Sequence, residues 1–343
     1  MLWETIVLRL LVMMESCAFM GYTHNDGAVF QFTYYIVATL LLALSLPTVL
    51  VNIAIVSAII FKRELRTPAY LVIANLAISD CLAGCFVYPC YSVVCIQLAL
   101  GYDPCTVAFV GTPLGYIFGL TSYNTIALQT IERYLAVFFP YWYHEKLTTK
   151  VIVIANVSTW LLSLSIVTLW LITKDNQIFN GILGPLSAVA FCVTVVSYVR
   201  IFQEVRKIEK QIKEQQVRCS AEQRKIKSES KVAKATVIIL LAVVVCYSPL
   251  LIFEFVIAFV NIKSSAASVS LYWWWFLAIG NSSINPYIAC RQLSALRRSV
   301  KSMFRWLPVF GRKIESFDQL TSFAPSRTSQ TDLKKHSLFT KSN

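Results

Sequence analysis

An all-α integral membrane fold, a bundle of seven transmembrane helices followed by a short amphipathic eighth helix, is predicted by three properties of the sequence. Only 14% of the 343 residues are charged and 57% are hydrophobic, against about 25% charged in an average soluble domain. The apolar residues gather in seven long stretches. The basic residues are confined almost entirely to alternate connections between them.

The stretches run roughly over 33–61, 68–97, 105–138, 149–173, 179–203, 232–261 and 268–290. Each reaches the ~20 residues that a helix needs to cross ~30 Å of hydrocarbon. A membrane barrel would instead show period-two patterning in segments of ~10 residues. Mean hydropathy of +0.61 agrees with a chain that lies mostly in lipid.

Of the 31 basic residues, only Arg9, Lys174 and Lys263 fall on one side of this arrangement; the other 28 lie in or beside segments on the opposite side. Cytoplasmic segments hold such an excess because translocating Lys and Arg is disfavoured. The net charge of +13 therefore reads as orientation rather than as a nucleic-acid footprint. Seven crossings place the amino terminus outside and the carboxyl terminus inside. The chain divides into an extracellular segment 1–31, a membrane domain 32–303 and a polar, Ser/Thr-rich tail 304–343 expected to be disordered. The apolar run from Ile6 to Met14 is interrupted by Arg9 and too short to span.

The ten cysteines do not read as a disulfide framework, since Cys81, Cys85, Cys192, Cys246 and Cys290 sit inside apolar stretches and Cys219 in a basic inner loop. Cys17, Cys90, Cys95 and Cys105 can face an oxidising space. His24, His144 and His336 are too scattered for a metal site.

Polar groups inside a span are costly and ask for a reason. Asp80 lies mid-way along the second stretch, Asn52 in the first, Ser122 and Asn124 in the third, and Asn281, Ser282, Ser283 and Asn285 in the seventh. Two readings stand side by side. Asp80, Ser122, Asn281, Ser282 and Asn285 converge on a hydrated pocket for a small cation, or they form a hydrogen-bonded network joining helices with Asp80 protonated. A second feature is Glu132-Arg133-Tyr134 at the inner end of the third stretch. Glu229 precedes Pro249 by 20 residues, about 30 Å along a helix, which brings it to the same border as Arg133. An Arg133–Glu229 tie and two separately solvated charges are both open on these residues.

Together these residues resemble the rhodopsin-like G-protein-coupled receptors. Asn52 is similar to the family's helix-one asparagine, Asn75 to Asp80 to its helix-two motif, and Glu132-Arg133-Tyr134 to its Asp/Glu-Arg-Tyr motif, with Pro140 and Tyr143 in the loop that follows. Trp160 and Tyr198 resemble the tryptophan of helix four and the tyrosine of helix five. Cys246-Tyr247-Ser248-Pro249 resembles Cys-Trp-x-Pro, Asn285-Pro286 opens Asn-Pro-x-x-Tyr, and Arg291 to Phe304 is similar to the eighth helix on the membrane surface. The match covers about residues 35–304. It implies a non-enzymatic receptor of the plasma membrane that binds an extracellular ligand and activates heterotrimeric G proteins by outward movement of helix six. Glu132, Arg133, Tyr134, Tyr198, Glu229, Tyr247, Pro249, Asn285 and Pro286 would serve coupling and switching, and the resemblance turns the Asp80 cluster towards an allosteric sodium ion. It implies no other cofactor. It also makes receptor kinases and arrestin candidate partners of the tail.

Departures sharpen the reading. Ala289 stands where the family has its helix-seven tyrosine, Tyr247 replaces the helix-six tryptophan, and Ala190 stands in place of the helix-five proline. No cysteine occurs between 171 and 185, so the usual bridge to the second outer loop cannot form; Cys105 could pair with Cys95 or Cys17 or stay free. These features are similar to the group of melanocortin, cannabinoid and lysophospholipid receptors. Gly115 occupies the position of the aminergic aspartate, which argues against a monoamine, and Ile279 that of the retinal lysine. Tyr88, Tyr91, Tyr116, Phe253, Glu254, Tyr272 and Trp275 are candidates to line a ligand pocket, with packing and interfacial anchoring as the plainer alternative for each. Two other functions compete: a transporter or channel that uses the intramembrane polar cluster, and a receptor-like protein whose switch is impaired at Ala289 and Tyr247.

Overall fold

The computed structural model describes residues 28–173, 189, 192–197, 199–204, 206–207, 210, 238–239, 241–250, 252–253 and 265–303. Four of its helices are long and apolar enough to cross a bilayer: Phe30–Phe61, Pro68–Ala99, Cys105–Phe138 and Thr149–Thr173. They are the first four spans. Residues 199–204 and 241–250 are helical and belong to the stretches predicted as the fifth and sixth. The seventh span is the helix Ser265–Gln292, which keeps Pro286 inside it. After a break at Leu293 comes the helix Ser294–Met303. Its Leu296 and Val300 are buried while Arg297 and Arg298 are exposed, the two-faced pattern of a helix lying along an interface.

Two local features depart from the sequence reading. The 139–148 connection, expected as a plain loop, contains the helix Pro140–Lys146; Pro140 opens it because a first-turn residue needs no amide donor. The second span is not a uniform helix. It changes to a π turn over Ala83–Val87, where the Tyr88 amide donates to the Ala83 carbonyl. Pro89 follows and lacks the N–H that an α-helix would direct to residue 85, and a widened turn absorbs that mismatch. Ser45 of the first span donates its hydroxyl to the Gly84 carbonyl at 2.8 Å.

The spans pack through two main apolar clusters. The inner one includes Ile55, Ile59, Ile73, Ile126, Ile239 and Leu296; the outer one includes Tyr34, Leu41, Tyr88, Leu98 and Tyr272. Side chains such as Leu46, Ile154, Leu161 and Leu169 remain exposed on the bundle's outside, where acyl chains rather than water meet them. Close approach of backbones sets part of this packing. A Cβ on Gly84 would stand 3.0 Å from Val49 Cγ2, and one on Gly111 only 2.8 Å from Cys90 Cβ. Gly111→Ala therefore forces the second and third spans apart and is expected to destabilise the protein by about 1–3 kcal/mol. A fall in the thermal unfolding midpoint of the detergent-purified chain would register it, with Gly119→Ala, whose Cβ meets nothing within 4 Å, as the neutral reference.

Candidate functional site

The bundle carries three connected features along its axis. The outermost is a pair of adjoining cavities between the second, third, sixth and seventh spans. The upper, about 90 Å³, is lined by Tyr91, Gly111, Thr112, Leu271 and Tyr272 among others. The lower, about 170 Å³, reaches Gly119, Tyr123, Tyr247, Leu250 and Ser282. Val87, Gly115, Tyr116, Trp275 and Ile279 border both. Where they meet, the Tyr116 and Trp275 rings stand edge to face at 5.8 Å, and Trp170 of the fourth span holds Tyr116 from the other side at 5.2 Å.

Below the cavities lies the polar cluster. Asp80 is fully buried. It accepts hydrogen bonds from Asn285 Nδ2 at 3.0 Å and Ser122 Oγ at 3.3 Å, and Ser282 is a further hydrogen-bond partner. Ser122 also shares a 2.9 Å hydrogen bond with Ser79. The side-chain oxygens of Asn281 and Asn285 are buried with no hydrogen-bond partner. A second chain of bonds runs to the first span: Tyr88 OH to Ser283 at 2.9 Å, Ser283 to Thr48 at 2.7 Å, and Asn52 Nδ2 to the Ser282 carbonyl at 3.5 Å. A third fixes the fourth span, with Asn75 donating to Thr125 at 2.7 Å and accepting from Trp160 Nε1 at 2.9 Å.

The innermost feature is a clasp at the end of the third span. Arg133 and Glu132 are neighbours in sequence and both buried. The guanidinium grips the carboxylate with two donors, Nε at 2.5 Å and Nη2. Tyr143, from the short loop helix, donates to Glu132 Oε1 at 2.5 Å and accepts from Arg133 Nη2 at 3.2 Å. A charge pair removed from water persists only when its hydrogen bonds are completed in this way. Tyr134 points elsewhere and packs its ring against Phe138 at 4.6 Å.

A family model described as "7 transmembrane receptor (rhodopsin family)" matches residues 51–183 and 182–288. The chain belongs to this family. It is a G-protein-coupled receptor, of a class that signals rather than catalyses, and a multi-pass membrane protein. Among similar proteins, trace amine-associated receptor 5 of Rattus norvegicus is 24% identical over 278 residues, 75% of this chain and 81% of the relative. Trace amine-associated receptor 9 of the same organism is 26% identical over 277 residues, 73% of this chain and 81% of the relative. The visual pigment-like receptor peropsin of Homo sapiens is 32% identical over 120 residues, so this chain spans only 35% of its length.

The five residues of the expected cation pocket come from the second, third and seventh spans and are all buried; Ser122, Ser282 and Asn285 hydrogen-bond to Asp80. Of the expected ligand-pocket residues, Tyr91, Tyr116, Tyr272 and Trp275 line the receptor's cavities. Tyr88 does not: the π turn rotates it into the core, where its hydroxyl donates to the Ile279 carbonyl at 3.0 Å. Phe253 is half-buried in the sixth span and borders neither cavity. Tyr198, Glu229, Glu254 and Cys17 lie outside the described residues. Among the disulfide candidates Cys95 is a free thiol packed in the outer core, so the Cys95–Cys105 pairing is not formed, and Cys105 is disulfide-bonded. Pro249 and Pro286 both lie inside helices, and Ala289 is buried in the inner core.

Residues not singled out as site members take structural parts in it: Ser79, Thr48 and Ser283 in the polar network, and Tyr143 in the clasp. Its place next to Asp80 in the chain marks Ser79, but nothing in the spacing of Tyr143 indicates that the loop folds back onto Glu132. Tyr143→Phe removes one donor to the buried carboxylate and should cost about 1–3 kcal/mol, seen as a lower unfolding midpoint. It should also raise agonist-independent nucleotide exchange on a co-reconstituted G protein.

Proposed function

We propose that the adjoining cavities hold an extracellular ligand other than a typical monoamine, and that its binding favours outward movement of the sixth span and activation of a heterotrimeric G protein. One observation carries this reading. Tyr247 lines the lower cavity and also packs against the inner core that contains Ile239, Val243 and Ala289. A ligand that prefers one position of this ring shifts the packing of the cytoplasmic half by its differential affinity for the two arrangements. At the inner end Arg133 then leaves Glu132 and Tyr143 and meets the G protein, with Tyr198 beside it. In the resting receptor Glu229 supplies a further anion to Arg133, as the 20-residue distance from Pro249 supports. The segregation of 28 basic residues supports a plasma-membrane topology with the amino terminus outside. Receptor kinases and arrestin act on the Ser/Thr-rich 304–343 tail.

We further propose that the Asp80 cluster binds sodium. The chemistry of the donor set fits it. Hard cations take oxygen ligands, and here a carboxylate, the hydroxyls of Ser122 and Ser282, and Asn285, whose amide oxygen has no donor, lie together. One carboxylate balances one positive charge, and among the described residues no group of three His, Cys, Asp or Glu exists to hold a more highly charged metal.

Two experiments test these readings. Glu229→Ala should raise basal nucleotide exchange several-fold in a well-expressed receptor, and flat basal exchange would show that the tie does not operate. Sodium chloride should raise the unfolding midpoint of the purified receptor over choline chloride, by mass action on the folded state. Asp80→Asn should abolish that difference, and a sodium effect that survives the substitution rejects the site.

A further inference from the structure

Three glycines, Gly111, Gly115 and Gly119, recur every four residues and so share one face of the third span. They do different things. At Gly111 a Cβ would collide with Cys90 at 2.8 Å, so glycine serves the approach of the second span. At Gly115 a Cβ would find only Val87 Cγ1 at an ordinary 3.5 Å, and at Gly119 nothing within 4 Å. Glycine inside a helix costs about 0.5–1 kcal/mol relative to alanine, and at these two positions alanine would fit. What glycine supplies there is volume, and both residues border the lower cavity.

That volume has a definite chemistry. Among the described residues the lining of the two cavities contains no Asp, Glu, Lys, Arg or His; its polar groups are hydroxyls, such as those of Thr112, Tyr123, Tyr247 and Ser282, and the Trp275 indole. An ammonium or carboxylate placed against these described residues would lose its hydration and find no counter-charge among them, a penalty of several kcal/mol. Aromatic edges and hydroxyls instead suit a ring system bearing a single hydroxyl or carbonyl. At about 170 Å³ the lower cavity alone is of the class of an apolar cavity of about 150 Å³ that takes up one benzene. With the upper cavity adjoining it, there is room for two fused rings.

We infer that the ligand of this receptor is an uncharged, ring-bearing, largely apolar molecule seated against Gly115 and Gly119 of the third span. This rests on the reading of the cavities as the ligand site. Three probes of one skeleton test it on the purified full chain: 1-naphthalenemethanol, 1-naphthylmethylamine and 1-naphthoate. The readout is the monodisperse fraction remaining on gel filtration after heating. The alcohol should raise the unfolding midpoint by several degrees, and the amine and the carboxylate should not. Gly119→Leu, which fills the cavity, should remove the response to the alcohol without lowering the unliganded midpoint. Should that variant not fold, Gly119→Ala, whose Cβ meets no neighbour, should weaken the response. A larger shift with the amine or the carboxylate, no shift with any probe, or a wild-type response in the Gly119 variants overturns the inference. Stimulation of exchange by the amine would overturn the ligand chemistry and leave the receptor reading standing. Binding of the alcohol at Gly119 with no effect on exchange in a co-reconstituted G protein would reject the activation reading while the ligand chemistry held.

Discussion

A carboxylate in the middle of a hydrocarbon-spanning helix has no water to turn to, and the receptor's architecture is organised around that fact. Asp80 sits at 0% exposure because Ser122 of the third span and Asn285 of the seventh bring donors to it. Hydrogen bonds between membrane helices contribute on average only about 0.6 kcal/mol each, so they do not hold the bundle together by strength. They fix its register. Any sliding of these spans would leave a buried acid without partners, which costs far more than one bond contributes. The same logic extends outward through Thr48, Ser283 and Tyr88 to the first span and through Asn75 and Trp160 to the fourth.

The polar ties thus join the first, second, third, fourth and seventh spans into a registered frame. Among the described residues of the sixth, Ile239, Val243 and Leu250 are buried in apolar packing. Apolar contacts carry little directional preference, so an element held by them can slide or tilt where one held by buried hydrogen bonds cannot. The Glu132–Arg133–Tyr143 clasp closes the inner end of the frame. It is compact because its two charged members are adjacent in sequence and its third arrives on a helix of only seven residues. The proposed movement of the sixth span draws on the apolar contacts that its described residues make.

Much of this frame is legible in the sequence because its cause is a single strong term, the cost of charge and exposed backbone in lipid. The third and fourth spans begin and end where hydropathy places them, and the buried polar residues are visible as exceptions to it. What escapes is geometry that depends on one residue more or less. A uniform 3.6-residue period places Tyr88 with Tyr91 at the pocket, but the π turn ahead of Pro89 inserts an extra residue and rotates Tyr88 into the core. Tyr143 escapes for another reason, since a short loop helix carries no periodic signal of its own. The cavities escape too. Gly115 and Gly119 act through the atoms they lack, and composition cannot tell a glycine that permits close packing, as at Gly111, from one that leaves space.

Ser282 brings the cavities and the acid together. It borders the lower cavity and is a hydrogen-bond partner of Asp80, so a single hydroxyl faces both the proposed ligand and the proposed cation. If a ligand favours one orientation of that hydroxyl, it changes the donor set around the acid, and a cation that recruits the hydroxyl changes what the ligand meets. Coupling of this kind is reciprocal: whatever factor sodium imposes on ligand affinity, the ligand must impose on sodium affinity. Its size is bounded by what one hydroxyl can contribute, about 1.5–3 kcal/mol where the hydrogen bond is to a charged group, or between about tenfold and somewhat over a hundredfold in affinity. The two sites need no long path between them, because the wall that separates them is one side chain thick.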